Sequence, residues 1–142
     1  ELCTTDQGSY VFELGARCGG GGTPHPICPW VCGVEELVEA VRLALGQPPK
    51  NLEPKWERGC VYRFLTPPKH GTLMSVQGLE EIKKWPGILD IDITVSPGEK
   101  IRPVQSGHDR AGYIIAGAEN RAQAIALADK AEDELKFVFA SA

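Results

Sequence analysis

ELCTTDQGSYVFELGAR, residues 1–17, decides how the rest of the chain is read. Residues 9–14 alternate, with Tyr10, Phe12 and Leu14 on one face and Ser9, Val11 and Glu13 on the other. Glu1 to Thr5 can pair back onto them through Asp6-Gln7-Gly8, Gly8 taking the left-handed position of a three-residue hairpin loop. In that register Thr5 faces Ser9 and Glu1 faces Glu13, with Cβ atoms about 5 Å apart. Like charges directly opposite destabilise a sheet, and the neighbouring Cys3 and Val11 solvate them poorly. Two carboxylates held there suit a divalent cation, and oxygen-only ligands point to Mg2+ or Mn2+. An ordinary exposed hairpin face carrying two glutamates fits the same pattern. Arg17 follows Glu13 by four residues and emerges on the carboxylate side if the chain stays extended. Its forked, permanently charged head suits phosphate oxygens or a substrate carboxylate. Taken alone, a surface arginine is the commoner outcome.

Outward from this hairpin, residues 16–33 (ARCGGGGTPHPICPWVCG) are too rich in Gly and Pro for regular structure. Residues 34–45 have helical period, with Val34, Leu37, Val38, Val41 and Leu45 as the apolar stripe. Glu35, Glu36, Glu39 and Arg42 are expected to face water, Gly46 to cap, and Pro48-Pro49 to stop the helix. Residues 47–57 read as a connector. Beyond it, 59–65 and 71–77 read as a hairpin around Pro67-Pro68, and Leu79 and Ile82 as a short helix ended by Pro86. Residues 88–95 alternate cleanly, 111–116 form a further strand, and 136–140 a last one. Asn120 with Gln123 resembles a capping box, opening a helix whose Ala124, Leu127, Ala128, Ala131 and Leu135 make a shallow face suited to close packing on a sheet. The expected class is α+β, a mainly antiparallel sheet with packed helices.

Composition bounds the function. The 142 residues are enough for a real core, about 65–70% of the unfolded surface being buried at this size. A net charge of −4 argues against nucleic acid or an anionic membrane as the main partner, because both select a basic field. No apolar run reaches the roughly 20 residues that span a bilayer. Nor is there a basic-then-apolar leader. Five cysteines, an odd number with Cys3 and Cys60 inside strands, read as reduced cytoplasmic thiols. The chain opens on Glu1 inside an apparent strand, with no initiator methionine, so a fragment is expected.

Read together, residues 1–17 resemble the closing hairpin of ATP-grasp enzymes, the superfamily of biotin carboxylase, carbamoyl-phosphate synthetase and the L-amino-acid ligases. Those enzymes place one metal-binding glutamate before a turn and a second at the end of the next strand, followed by x-Asn-x-Arg or a variant. Glu1, Glu13 and Arg17 fall on those positions. Gly15 stands where the family usually carries asparagine and offers no side chain to a second metal ion. The GGGG run at 19–22 and VCGVEELVEAVRLALGQ resemble the family's Gly-rich stretch and the helix behind the site. GYIIAGAENRAQAIALADKAEDEL is similar to the carboxy-terminal lobe of the amino-acid-ligase branch. The resemblance implies residues 1–46 as the end of a catalytic domain, 47–57 as connector and 58–142 as a carboxy-terminal lobe. It further implies an ADP-forming ligase that phosphorylates a carboxylate substrate with ATP and Mg2+ (or Mn2+) and passes the acyl group to an amine or similar nucleophile. Glu1 and Glu13 would hold metal and nucleotide, with Arg17 as catalytic and nucleotide-binding residue. The nucleotide-gripping lysines would precede Glu1, so the chain alone is expected to be inactive.

Other candidates carry less. Cys18, His25, Cys28 and Cys32 are four soft ligands within fifteen residues, yet prolines stiffen the path between them. His108, Asp109 and Arg110 read as a polar turn before a strand, with a substrate-contacting lid as the alternative, and Arg102 is similar; His70 reads as a turn residue. Trp30, Trp56 and Trp85 are scattered and give no stacking platform for bases. The rival reading is a small-molecule-binding or regulatory module of ferredoxin-like order, which needs no Glu1/Glu13/Arg17 trio. A blander one is a structural cap that covers another domain or forms a homodimer.

Overall fold

The computed structural model describes residues 1–67 and 69–140. Pro68 of the expected turn and the last two residues of the 58–142 range lie outside the described residues. Strands β1 (Leu2–Thr5) and β2 (Gly8–Val11) form an antiparallel ribbon. Its loop is Asp6-Gln7, one residue shorter than expected, so Thr4 rather than Thr5 faces Ser9, their hydroxyl oxygens 3.1 Å apart. Among the described residues no side-chain-bearing residue has positive φ, which excludes a primed turn; Gly8, at φ +132°, absorbs the closure instead.

A wide helical turn (Thr23–Ile27) leads into α1 (Cys28–Cys32), which ends on Gly33 in the left-handed region at φ +75°. Helix α2 (Glu36–Ala44) follows, and residues 47–58 carry no helix or strand. Then come β3 (Gly59–Leu65), β4 (Gly71–Gln77), α3 (Leu79–Ile82), β5 (Ile88–Ile93) and β6 (Lys100–Ile101). Strand β7 (Gly112–Ala118), α4 (Arg121–Glu134) and β8 (Lys136–Phe139) complete the order.

All strand pairs are antiparallel, and they form two three-stranded sheets besides the ribbon, β3-β7-β5 and β6-β4-β8. The expected β3–β4 hairpin does not form. Strand β3 pairs along its whole length with β7, from Gly59↔Ala118 to Leu65↔Gly112, while β4 pairs with β6 and β8. Nearness in sequence gave the wrong partner: Leu73 of β4, fully buried, pairs with Phe139 of β8.

The core lies between the β3-β7-β5 sheet and α4. Leu65, Ile91, Ile114 and Ala116 from the sheet meet Ala128, Ala131, Ile82 and Leu135. Ala124, Ala128 and Ala131 are fully buried, so α4 lies close on the sheet as a small-residue face allows. Asn120 caps it, its Oδ1 accepting from Gln123 N–H at 3.0 Å. The approach is closest at Gly59, where a Cβ would run into the Asn120 and Arg121 backbone. Arg63 bridges the same two elements, with Nη2 2.6 Å from Asp129 and Nη1 2.7 Å from Glu132.

Val34 is buried at 8% and Glu35 is exposed, as expected, but over Glu36–Ala44 helix α2 faces the opposite way from expectation. Leu37, Val38, Val41 and Leu45 are between 46% and 69% exposed, whereas Glu39 is buried at 3%. The Glu39 carboxylate accepts Lys50 N–H at 2.8 Å and lies 3.7 Å from Arg42 Nε, so the returning chain at residue 50 covers the polar side. An apolar stripe is buried only where some element supplies a matching surface, and among the described residues none covers this one.

Candidate functional site

Beyond Leu2↔Val11 the ribbon changes pattern. The Glu1 carbonyl accepts both Phe12 N–H (2.9 Å) and Glu13 N–H (3.4 Å), while Glu1 N donates to Glu13 O at 2.6 Å. Two residues thus oppose one, which is a β-bulge. Glu13 therefore stands across from Glu1 even though the ribbon's register is one residue away from the expected one. The bulge, not the turn, brings them together at the backbone. Residues 1–17 are exposed throughout, Glu1, Glu13 and Arg17 included. Arg17 donates through Nη1 to the Cys18 carbonyl at 3.1 Å. It also lines a cavity of about 550 Å³ with Cys18, Cys28, Glu36, Glu39 and Leu52.

As a metal centre, two exposed carboxylates supply hard oxygen donors and leave most coordination positions to water and phosphate oxygens, the usual habit of Mg2+. Their chemistry fits that ion. Among the described residues no three His, Cys, Asp or Glu side chains gather as a shell, so Cys18, His25, Cys28 and Cys32 do not converge as a set. Cys28 and Cys32 do meet, Sγ to Sγ at 3.7 Å. Burial pushes the Cys28 thiol up to about 11, helped by the Cys32 thiol and by the charges of Glu36 and Glu35.

The glycine run is packed on the sheet at its second half only, a Cβ at Gly20 meeting nothing within 4 Å. A Cβ at Gly21 would come 2.8 Å from the Tyr62 ring, and one at Gly22 would run into Ile115, so glycine lets this stretch lie on β3 and β7. Two of the tryptophans are not scattered. Trp30 and Trp56 bracket Arg58, whose guanidinium carbon lies 5.1 and 5.2 Å from their ring centroids. Their indole N–H groups donate to Gly59 O (3.0 Å) and Trp30 O (2.8 Å). Only the Trp56-x-Arg58 spacing hinted at this.

His108, Asp109 and Arg110 sit at a short turn (Gly107–Asp109) with reciprocal capping by Ser106 and Asp109. The Asp109 carboxylate accepts from Gln105 N–H (3.0 Å) and Ser106 N–H (2.7 Å), which hold it below the usual carboxylate range. Tyr62, Phe64 and Tyr113 form an aromatic patch nearby, with centroids 4.6 and 5.4 Å apart.

Residues 63–140, more than half of the chain, match the family described as L-amino acid ligase C-terminal domain 2. The chain belongs to that family. The solved L-amino acid ligase from Bacillus licheniformis superposes with a TM-score of 0.76 at 23% identity, over 99% of this chain and 35% of that one. A phosphoribosylglycinamide synthetase from Anaerococcus prevotii gives 0.81 at 16% identity, over 98% of this chain and 36% of that one. In sequence, the protein y4rH of Sinorhizobium fredii is 29% identical over 137 residues, 95% of this chain and 28% of its own length. The family match begins at Arg63, within β3, whereas the structural likenesses run through the amino-terminal ribbon as well. The fold is that of the carboxy-terminal portion of ATP-grasp ligases. The chain spans about a third of the length of the solved enzymes it matches. No helix among the described residues is long and apolar enough to cross a membrane.

Proposed function

We propose that the chain is the carboxy-terminal part of a cytoplasmic, ADP-forming ligase that joins a carboxylate substrate to an amine through an acyl phosphate, with ATP as phosphoryl donor. Residues 1–46 close the catalytic domain, 47–57 connect, and 58–142 form a lobe beside the carboxylate substrate. Glu1 and Glu13 hold Mg2+ (or Mn2+), whose charge neutralises the phosphate oxygens when bound. Arg17 hydrogen-bonds the transferred phosphoryl group, and positioning with charge stabilisation carries most of such a reaction. The nucleotide grip lies upstream, so the chain by itself does not turn over.

The observation that carries this reading is the bulge that sets Glu13 opposite Glu1, with Arg17 four residues on, in a chain of this family. A ferredoxin-like sensor has no use for that arrangement. The test is Mg2+-dependent ADP release by a protein extended upstream of Glu1. Glu13→Gln keeps the shape and removes the charge, and is expected to lower turnover by about 100-fold or more. Wild-type turnover in that variant would remove the metal assignment.

A further inference from the structure

We propose that the turn ahead of β7 is a binding site for a small carboxylate with a flat apolar body, held by Arg110. This site is separate from Glu1, Glu13 and Arg17 and does not depend on the ligase reading. A cavity of about 290 Å³ is lined by Phe64, Thr94, His108, Arg110 and Tyr113, among others. The Arg110 guanidinium carbon lies over the Phe64 ring at 3.6 Å from its centroid, and the residue is half-buried. Its backbone is fixed as well, since Arg110 O accepts from Thr94 Oγ1 at 3.0 Å and Ala111 N–H donates to Leu65 O at 3.0 Å.

Among the described residues this ordered guanidinium makes no ion pair and no side-chain hydrogen bond, unlike Arg63. Of the acids near this cavity, Asp109 and Asp90 are hydrogen-bonded elsewhere, while Asp92 faces Tyr113 across the β5–β7 pair. Asp109 accepts three hydrogen bonds from Gln105 and Ser106, and Asp90 accepts the Tyr113 hydroxyl at 2.8 Å. A stacked arginine has its side chain already immobilised, and its fork fits a carboxylate with two parallel hydrogen bonds. The Phe64 and Tyr113 rings offer apolar surface to the rest of the molecule. His108 also lines a second cavity of about 390 Å³ with Lys100 and Arg102, whose charges Glu99 and Asp109 on the same wall balance. Glu99 on that cavity accepts Ser96 N–H at 3.1 Å.

The test is a titration of the 15N-labelled chain with benzoate, acetate and inorganic phosphate, followed by amide NMR. Benzoate is expected to move the amides of Gly107, His108 and Gly112 saturably, with a dissociation constant of about 1–10 mM, and acetate more weakly. Arg110→Gln is expected to weaken this about tenfold, and NaCl at about 0.5 M to weaken it in the wild type by competition. Should Arg110→Gln fail to fold, Arg110→Lys keeps the charge without the fork and is expected to lose about threefold. Three results would overturn the proposal: no saturable shift, equal binding by the variants, or phosphate binding the same amides more tightly than benzoate.

Discussion

Tyr113 donates its hydroxyl to Asp90 Oδ2 at 2.8 Å, on a pair of neighbouring strands where Asp92 lies opposite it. The bond to Asp90, then burial, then the negative charges of Asp90 and Asp92 push the phenol up to about 12. An unfolded tyrosine ionises near about 10. Because the folded value is raised, the neutral phenol contributes stability in full below about pH 10, and this is lost as pH rises through about 12. In a 295 nm titration Tyr113 is therefore expected to ionise at about pH 12, and Asp90→Asn to lower that step. A Tyr113 step unmoved by Asp90→Asn would mean that the Asp90 contact does not hold in solution. At this scale Glu1, Glu13 and Arg17 stand out in the sequence as candidates by charge type and spacing, and it is the family resemblance that gives them the role proposed above. Arg110 could not: its neighbours in the chain look solvated, and only the fold lays it on Phe64, some 46 residues away.

The elements show where a one-dimensional pattern stops being informative. Helix α4 was legible because it is buried in the way its period demands, Ala124, Ala128 and Ala131 inward, whereas β7 was legible as an apolar run, Ile114, Ile115 and Ala116 being buried in succession on both faces. Helix α2 has an equally good period, yet its stripe is the exposed side. Periodicity names a face and says nothing about what covers it. The β1–β2 register was missed by one because it is set by turn dihedrals, and the bulge that re-pairs Glu1 with Glu13 has no sequence mark at all. The β3–β4 hairpin failed because loop length permits pairing without requiring it. This account has a thermodynamic consequence. Val41→Lys on the exposed side of α2 is expected to change stability by no more than about 0.5 kcal/mol. Ile114→Ala, at the centre of the fully buried face, is expected to cost about 2–5 kcal/mol. Urea midpoints of the two variants check both values. A large loss from Val41→Lys would show that something in this chain packs on α2 after all.

Across the whole molecule, burial is uneven. The residues with essentially no exposure, such as Leu65, Leu73, Ile82, Ile114 and Ile115, all lie from residue 65 onward. Residues 1–17 contribute none, and Leu2, Tyr10, Val11, Phe12 and Leu14 are 50–89% exposed. A two-stranded ribbon without a covered face is marginal by its own ladder alone. Local opening follows local burial, so the amides of β2 are expected to exchange with solvent at least about a thousandfold faster than those of Ile114 and Ile115. Hydrogen exchange followed residue by residue measures this directly. Equal protection would mean that the ribbon is held by contacts not evident from its exposure. The contrast bears on the proposed chemistry, because Glu1 and Glu13 sit on the part of the chain with the least to hold it still. Catalytic carboxylates need fixed geometry, commonly within about 0.5 Å. In a protein extended upstream, slower exchange at β2 together with ATP turnover would tie the ordering of this ribbon to assembly of the site. Turnover with the ribbon still exchanging freely would separate the two.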